Sequence, residues 1–182
     1  MPAYIDTFNH FVAIGVIILQ IAILIIAANL LFFRSRTNAM LGFFKKFTFY
    51  IGFLVALGSV GLSLFYSNVI GFPPCELCWI QRIFLYPQLI LFSMELYKRD
   101  RTMVDFSMAL AFFGTITSLF HIYVENGGST NIACATEGIN VISCATRYVY
   151  EFGYITIPTM ALTASVFIIL LLVNYKYMSK AE

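Results

Sequence analysis

The stretch FVAIGVIILQIAILIIAANLLFF, from Phe11 to Phe33, contains no charged side chain. A helix that crosses the hydrocarbon core of a bilayer needs about 20 mostly apolar residues. The stretch therefore predicts a transmembrane helix, with Gln20 and Asn29 as its main polar interruptions. Because basic residues follow the apolar run and none precedes it, we expect a retained helix and not a cleaved signal peptide.

Four more apolar stretches of similar length follow along the chain. Only 11% of the residues are charged and the mean hydropathy is +0.86, whereas soluble domains carry about 25% charged residues. We therefore expect an all-α, polytopic membrane helix bundle in contact with lipid, and the net charge of +2 gives no reason to expect a nucleic-acid partner. The further predicted spans are Phe47–Ile70, Trp79–Tyr97, Phe106–Val124 and Tyr154–Val173.

The basic residues predict the orientation of the bundle. Nine of the eleven Lys and Arg residues lie in the connections after the first and third spans and in the tail after the fifth. Because basic residues concentrate on the cytoplasmic side, we expect the amino terminus outside and the carboxyl terminus inside. The outer loops are then residues 71–78 and 125–153, in which Arg147 is the only basic residue.

All four cysteines fall in these two outer loops, Cys75 and Cys78 in the first, Cys134 and Cys144 in the second. Disulfides form outside the cytosol, so the pairs are either redox couples or structural bridges. Both possibilities stay open for Cys134 and Cys144. A bridge from Cys75 to Cys78 closes a very short loop and stabilises the fold little, which favours a redox role for this pair. The spacing does not fit a four-cysteine zinc site, and we predict no metal.

The surroundings of Cys75 and Cys78 favour a thiolate. Two prolines precede the pair and the third span follows it, so one of the two cysteines should lie in the first helical turn, where the helix dipole stabilises an anion. Arg82 is one turn further along. His121, near the outer end of the fourth span, lies at a similar depth. No haem, flavin or nucleotide motif is present, so we expect a lipid-soluble quinone, held by Arg82 and His121, to accept the electrons.

The motif Cys75-Glu-Leu-Cys78-Trp-Ile-Gln-Arg82 followed by Tyr-Pro resembles the signature of the disulfide bond formation protein B (DsbB) family, in particular the variety also called BdbC. Three further segments agree with the family: FHIY at 120–123, CATRY at 144–148 and FGYITIP at 152–158. The resemblance covers about residues 47–174. It implies a four-helix bundle that re-oxidises a thioredoxin-fold oxidase, DsbA, in the periplasm and passes the electrons to ubiquinone or menaquinone.

The resemblance also implies a role for each site residue. Cys75 and Cys78 resemble the pair that faces the quinone, with Cys78 as the thiolate beside it. Cys134 and Cys144 resemble the pair that meets the partner, with Cys134 forming the mixed disulfide. Arg82 matches an arginine that contacts the quinone, and His121 resembles a histidine near the quinone.

The chain departs from the family in having an additional first helix. We divide it into residues 1–46 with this extra helix and a cytoplasmic loop, a DsbB-like core at 47–174, and a cytoplasmic tail at 175–182. The expected location is the bacterial cytoplasmic membrane. Two rival hypotheses are a non-catalytic membrane scaffold with two structural disulfides and a transporter that uses Arg82, Glu95 and His121, although these residues form no path across the bilayer.

Overall fold

The computed structural model describes residues 3–32, 39–98, 103–128 and 143–179. All long helices within these ranges are apolar enough to cross a membrane, which confirms the predicted polytopic bundle. They are α1 (Ala3–Phe32), α2 (Ala39–Leu64), α3 (Glu76–Lys98), α4 (Met103–Glu125) and α5 (Ile157–Ser179).

Helices α2 to α5 form a four-helix core with α5 as its most buried member. Helix α5 packs against α2 and α4, and α3 completes the ring by packing against the same two helices. Helix α1 lies outside this ring, where it packs along α5. Among the largest fully buried apolar side chains are Phe92, Phe167, Ile168, Leu171 and Leu172.

Close packing in the core depends on small and polar residues at the helix contacts. A Cβ atom on Gly52 would lie 2.3 Å from the ring of Phe92, so the absence of a side chain lets α2 and α3 approach each other. Between α3 and α4, Gln88 Nε2 donates a hydrogen bond of 2.8 Å to the carbonyl of Ser107, whose hydroxyl donates to Gln88 Oε1. In a bilayer, such groups must be satisfied within the protein.

The first helix begins earlier than predicted, at Ala3 and not at Phe11. Hydropathy marks only the apolar part of a span, whereas polar residues at its end continue the helix. Asp6 lies in the first turn, where the helix dipole stabilises a negative charge.

The predicted start of the fifth helix at Tyr154 is wrong, because α5 begins at Ile157. The preceding residues form a tight turn closed by two hydrogen bonds of 2.9 Å between Glu151 and Ile155. Gly153 adopts a φ of 79° in this turn, which glycine tolerates without strain. The turn fixes where the second cysteine loop enters the bundle.

Candidate active site

Cys75 and Cys78 lie at the start of α3, as predicted. The helix begins at Glu76, and the carbonyl of Cys75 accepts a hydrogen bond of 3.1 Å from the amide of Trp79. Cys75 therefore caps the helix, and Cys78 lies in its first turn. The unpaired amides of a helix start favour negative charge nearby, so the fold stabilises a thiolate at this position.

The two sulfurs of this pair are 3.2 Å apart, within hydrogen-bonding distance. Cys75 is only 5% exposed and packs in an apolar cluster with Val124 and Cys144, which is 2% exposed. The fold thus brings a cysteine of the second loop against the first pair. Cys134 lies outside the described residues.

His121 lies next to Cys75, with its Nε2 atom 3.7 Å from the Cys75 sulfur. The ring is 3% exposed, and its Nδ1 atom has no hydrogen-bond partner within the described part of the chain. The hydrogen bond with Cys78, followed by burial, raises the pKa of Cys75 to about 12, although His121 acts in the opposite direction. Cys75 is therefore a protonated thiol at neutral pH, and His121 is the nearest group outside the pair that can exchange a proton with it.

The cysteine pair lies between two spaces of different character. The large cavity, of about 470 Å³, lies between α1, α2, α3 and α5, and Cys78, Arg82 and Ser63 are among the polar residues that line it. The small cavity, of about 20 Å³, is bordered by both cysteines of the pair together with His121 and Cys144. Cys75 and His121 do not line the large cavity. Cys75 therefore borders only the small cavity, whereas Cys78 borders both.

Arg82 supplies positive charge to the large cavity, where it is fixed by α2. Its Nε atom donates to Ser63 Oγ at 3.0 Å, and its Nη2 atom donates to the Ser63 carbonyl at 3.1 Å. The guanidinium also lies over the ring of Trp79, 4.9 Å from its centroid. A guanidinium has five N–H donors, so donors remain for a carbonyl oxygen of a ligand. The cavity thus fits a quinone, since most of its lining is apolar and its cysteine end is cationic.

Three serines near the outer end of the second span had no predicted function. Ser59, Ser63 and Ser67 all line the large cavity, and their four-residue spacing in an apolar span could have indicated a common face. The end of α2 continues as a π-helical segment, Phe65–Val69. Such segments often occur at functional sites, and this one places Tyr66 and Ser67 on the cavity wall.

The second loop contributes residues that had no predicted role. Tyr148 lines both cavities and stacks on Phe72 with the ring centroids 4.7 Å apart. Burial, followed by the charge of the nearby cysteines, raises the pKa of Tyr148. Arg147 fixes the loop by donating to the Glu125 carbonyl at 3.2 Å and to Asn126 at 2.8 Å.

The reduced site also offers ligands for a soft metal ion. One donor atom each from Cys75, Cys78 and His121 lies within 4.8 Å of the others, and thiolate and imidazole are ligands that Zn²⁺ prefers. Formation of a Cys75–Cys78 disulfide would remove two of the three. Metal binding would therefore compete with oxidation of the pair, and chelator belongs in any assay of its redox state.

Comparison with known proteins identifies the family. Residues 45–174 match the family described as disulfide bond formation protein DsbB. The chain belongs to the DsbB family. Relatives from Bacillus subtilis strain 168 include the SPbeta prophage-derived disulfide bond formation protein B, 37% identical over 64% of this chain and 76% of the relative, and disulfide bond formation protein C, 34% identical over 66% and 86%. No solved structure matches the chain.

Membership of the DsbB family makes the chain a multi-pass membrane oxidoreductase of disulfide bond formation. The matched region contains the pair at the start of α3, both cavities' polar residues and Cys144. Helix α1, which ends at Phe32, lies entirely before the matched residues.

Proposed function

We propose that this DsbB-family protein is a thiol oxidase that re-oxidises an extracytoplasmic, thioredoxin-fold (DsbA-like) partner and passes the electrons to a membrane quinone. One observation carries the proposal. The Cys75–Cys78 pair lies between a thiol-lined space and a large apolar cavity, with Cys144 beside Cys75 and with Arg82 and Cys78 lining the same cavity.

The order of the thiol–disulfide exchange steps follows from which sulfur atoms lie close together. The partner dithiol reduces a Cys134–Cys144 disulfide and becomes a disulfide itself. The Cys144 thiolate then attacks the Cys75 sulfur of the Cys75–Cys78 disulfide, so that a Cys75–Cys144 bond forms and Cys78 leaves as a thiolate. Attack by Cys134 on Cys144 restores the Cys134–Cys144 disulfide and leaves Cys75 reduced. The packing of Cys75 against Cys144 supports the attack on Cys75 and not on Cys78.

His121 exchanges the proton of Cys75 in this scheme. Because the pKa of Cys75 is raised to about 12, this sulfur needs a proton when it leaves and must lose one when it is oxidised. The Nε2 atom of His121, 3.7 Å away, can do both. The sequence predicted that His121 contacts the quinone. Its position on the small cavity supports a role with Cys75 instead.

Cys78 and Arg82 serve the acceptor side. The leaving thiolate of Cys78 lies in the first turn of α3, where the helix dipole stabilises it. Arg82, held by Ser63, would hold an acceptor oxygen in the large cavity and stabilise the negative charge that develops on it. A bound quinone would be the oxidant and would take up two electrons and two protons. Its ring could be that of ubiquinone or menaquinone.

The test is to reduce the purified protein anaerobically with chelator present, add a quinone and count free thiols. We expect one quinone to be reduced for every two thiols lost. A Cys75→Ser/Cys78→Ser double variant retains Cys134 and Cys144. Over the same time, it should lose no free thiols to the quinone. If all four thiols of the unmodified protein persist and the quinone stays oxidised, the oxidase proposal fails in favour of a scaffold with structural bridges.

The partner and the location have their own tests. A Cys144→Ser variant leaves Cys134 to retain a partner as a mixed disulfide, and we expect the trapped protein to have a thioredoxin fold with a Cys-x-x-Cys motif. In intact bacterial cells, membrane-impermeant thiol reagents should label the reduced cysteines from outside. Labelling only after the cytoplasmic face is exposed would overturn the predicted orientation.

A further inference from the structure

Helix α1 forms part of the large cavity, although it precedes the region matched by the family. Val12, Gly15, Val16 and Leu19 line the cavity, and their spacing places them on one face of the helix. On its other side α1 exposes apolar residues such as Ile18, as expected for a surface in lipid. The four-helix core alone would leave the cavity open where α1 now covers it.

Polar contacts hold this face of α1 against the core at both ends. At the cysteine end, Tyr66 Oη donates a buried hydrogen bond of 2.9 Å to Asn9 Oδ1. Further along, Gln20 Nε2 donates to Thr163 Oγ1 at 3.2 Å, and Tyr154 Oη donates to Gln20 Oε1 at 2.7 Å. These contacts fix the rotation of α1 and so determine which of its residues face the cavity.

Two glycines leave open space in the cavity wall. Glycines in membrane helices usually permit close helix packing, as Gly52 does beneath Phe92. Gly15 on α1 and Gly58 on α2 differ, because a Cβ atom on either would meet no atom within 4 Å and both residues line the cavity. The absence of a side chain at these two positions therefore widens the cavity and does not bring two helices closer together.

These glycines lie deeper than the polar end of the cavity. Gly15 is six residues from Asn9, roughly 9 Å along the helix, and Gly58 is five residues from Ser63, roughly 7.5 Å, at 1.5 Å per residue. Apart from Ser59, the wall at this depth is apolar, with Leu19, Leu54 and Val55 among its residues. A ring held at Arg82 would leave this part of the cavity to an attached hydrocarbon chain.

We propose that α1 and α2 form a channel for the side chain of the quinone, with Gly15 and Gly58 providing its room. This inference rests on the proposed function, since it takes a quinone as the acceptor. It assigns the extra helix a role in selecting quinones by their side chains, while Arg82 and Cys78 deal with the ring. An acceptor with the same ring and no side chain should not depend on α1.

Binding can be followed without turnover through Trp79, the only tryptophan of the chain, which lies under Arg82. Quenching of its fluorescence by oxidised decylubiquinone is compared with quenching by ubiquinone-0, which has no side chain. We expect Gly15→Leu and Gly58→Leu each to weaken the binding of decylubiquinone roughly 10- to 100-fold by filling the space of a few methylene groups. Binding of ubiquinone-0 should stay within about twofold of the unmodified protein, which also shows that the variants fold.

Gly61→Leu is the matched control, because Gly61 also has open space around it but does not line the cavity. It should bind both quinones normally. If Gly15→Leu and Gly58→Leu bind decylubiquinone normally, or lose both quinones equally, the side-chain channel is wrong and the proposed oxidase function stands. If the unmodified protein binds neither quinone, the acceptor itself is wrong and this inference fails with it.

Discussion

The two cavities beside the cysteine pair differ in size, in lining and in the helices that form them. The large cavity lies between α1, α2, α3 and α5 and is apolar except near Cys78 and Arg82. The small cavity lies between the start of α3, the end of α4 and the second loop. Its lining includes His121, Glu125 and Cys144. Only a narrow set of residues, including Cys78 and Tyr148, borders both.

This difference shows how one dithiol pair can serve two unlike reactants. Cys75 is buried beside a histidine and another cysteine, in surroundings that suit proton exchange and thiol exchange. Cys78 is three residues further, on the first turn of α3, and reaches the space that suits a lipid-soluble molecule. Within the described part of the chain, this pair is therefore the only dithiol that connects the two spaces. We expect that its two cysteines cannot replace each other.

The largest expected effect is the loss of either cysteine of the pair. Cys75→Ser and Cys78→Ser should each reduce quinone-dependent oxidation of a partner dithiol to background, because neither variant can form the Cys75–Cys78 disulfide. They should differ in binding, since only Cys78 lines the large cavity. Trp79 quenching should show quinone affinity preserved in Cys75→Ser, and an equal loss of affinity in both variants would contradict the division between the sulfurs.

The next effect concerns the pH dependence of Cys75. A pKa raised from 9.0 to about 12 means roughly a thousandfold less thiolate at neutral pH. Alkylation of Cys75 in the reduced protein, followed by mass spectrometry, should therefore rise about tenfold per pH unit from pH 7 to 10 without a plateau. Cys78→Ala removes the hydrogen bond that contributes most to the raised pKa of Cys75. The alkylation of Cys75 should therefore reach a plateau at lower pH in this variant. A plateau near pH 8.5 in the unmodified protein would contradict this account.

A smaller effect is expected at His121. His121→Gln keeps a polar side chain of similar size but cannot exchange a proton, so transfer between Cys75 and Cys144 should slow on the order of 100-fold. Quinone affinity by Trp79 quenching should stay unchanged, because His121 does not line the large cavity. If the variant instead loses quinone binding and keeps normal thiol exchange, the sequence-based assignment of His121 to the quinone is the better one.

The smallest of these effects is expected at Arg82. Loss of a hydrogen bond from a charged donor costs about 1.5–3 kcal/mol, so Arg82→Ala should weaken quinone binding roughly 10- to 100-fold and leave Cys75–Cys144 exchange unaffected. Arg82→Lys is the matched control, because it keeps the charge but loses the geometry that Ser63 holds. It should bind quinone with intermediate affinity. A slower Cys75–Cys144 exchange in Arg82→Ala would mean that the two spaces are not separate.

The sequence predicted much of this arrangement because the strongest signals are local. Apolar runs of about 20 residues predicted five spans, and the position of Cys75 and Cys78 before an apolar run predicted their place at a helix start. Arg82 was found because a charge in a span is rare. Each of these signals depends on residues close together in the chain.

What the sequence could not predict depends on contacts between distant segments. The depth of His121 matched that of Arg82, but depth does not say on which side of α3 a residue lies. Tyr66 and Asn9 meet across 57 positions of sequence, and nothing local marked either one. The turn at Gly153 that delays α5 to Ile157 was hidden because its aromatic and β-branched neighbours resemble the apolar span that follows.

The central claim, that Cys144 of the second loop reacts with Cys75 and not with Cys78, can be tested by disulfide formation in the purified protein. In a background with Cys134→Ala, Cys78→Ala leaves Cys75 with Cys144, and Cys75→Ala leaves Cys78 with Cys144. After reduction and brief treatment with a thiol oxidant, peptide mapping should find the Cys75–Cys144 bond nearly complete and the Cys78–Cys144 bond scarcely formed. Equal yields of the two bonds, or a preference for Cys78–Cys144, would contradict the account.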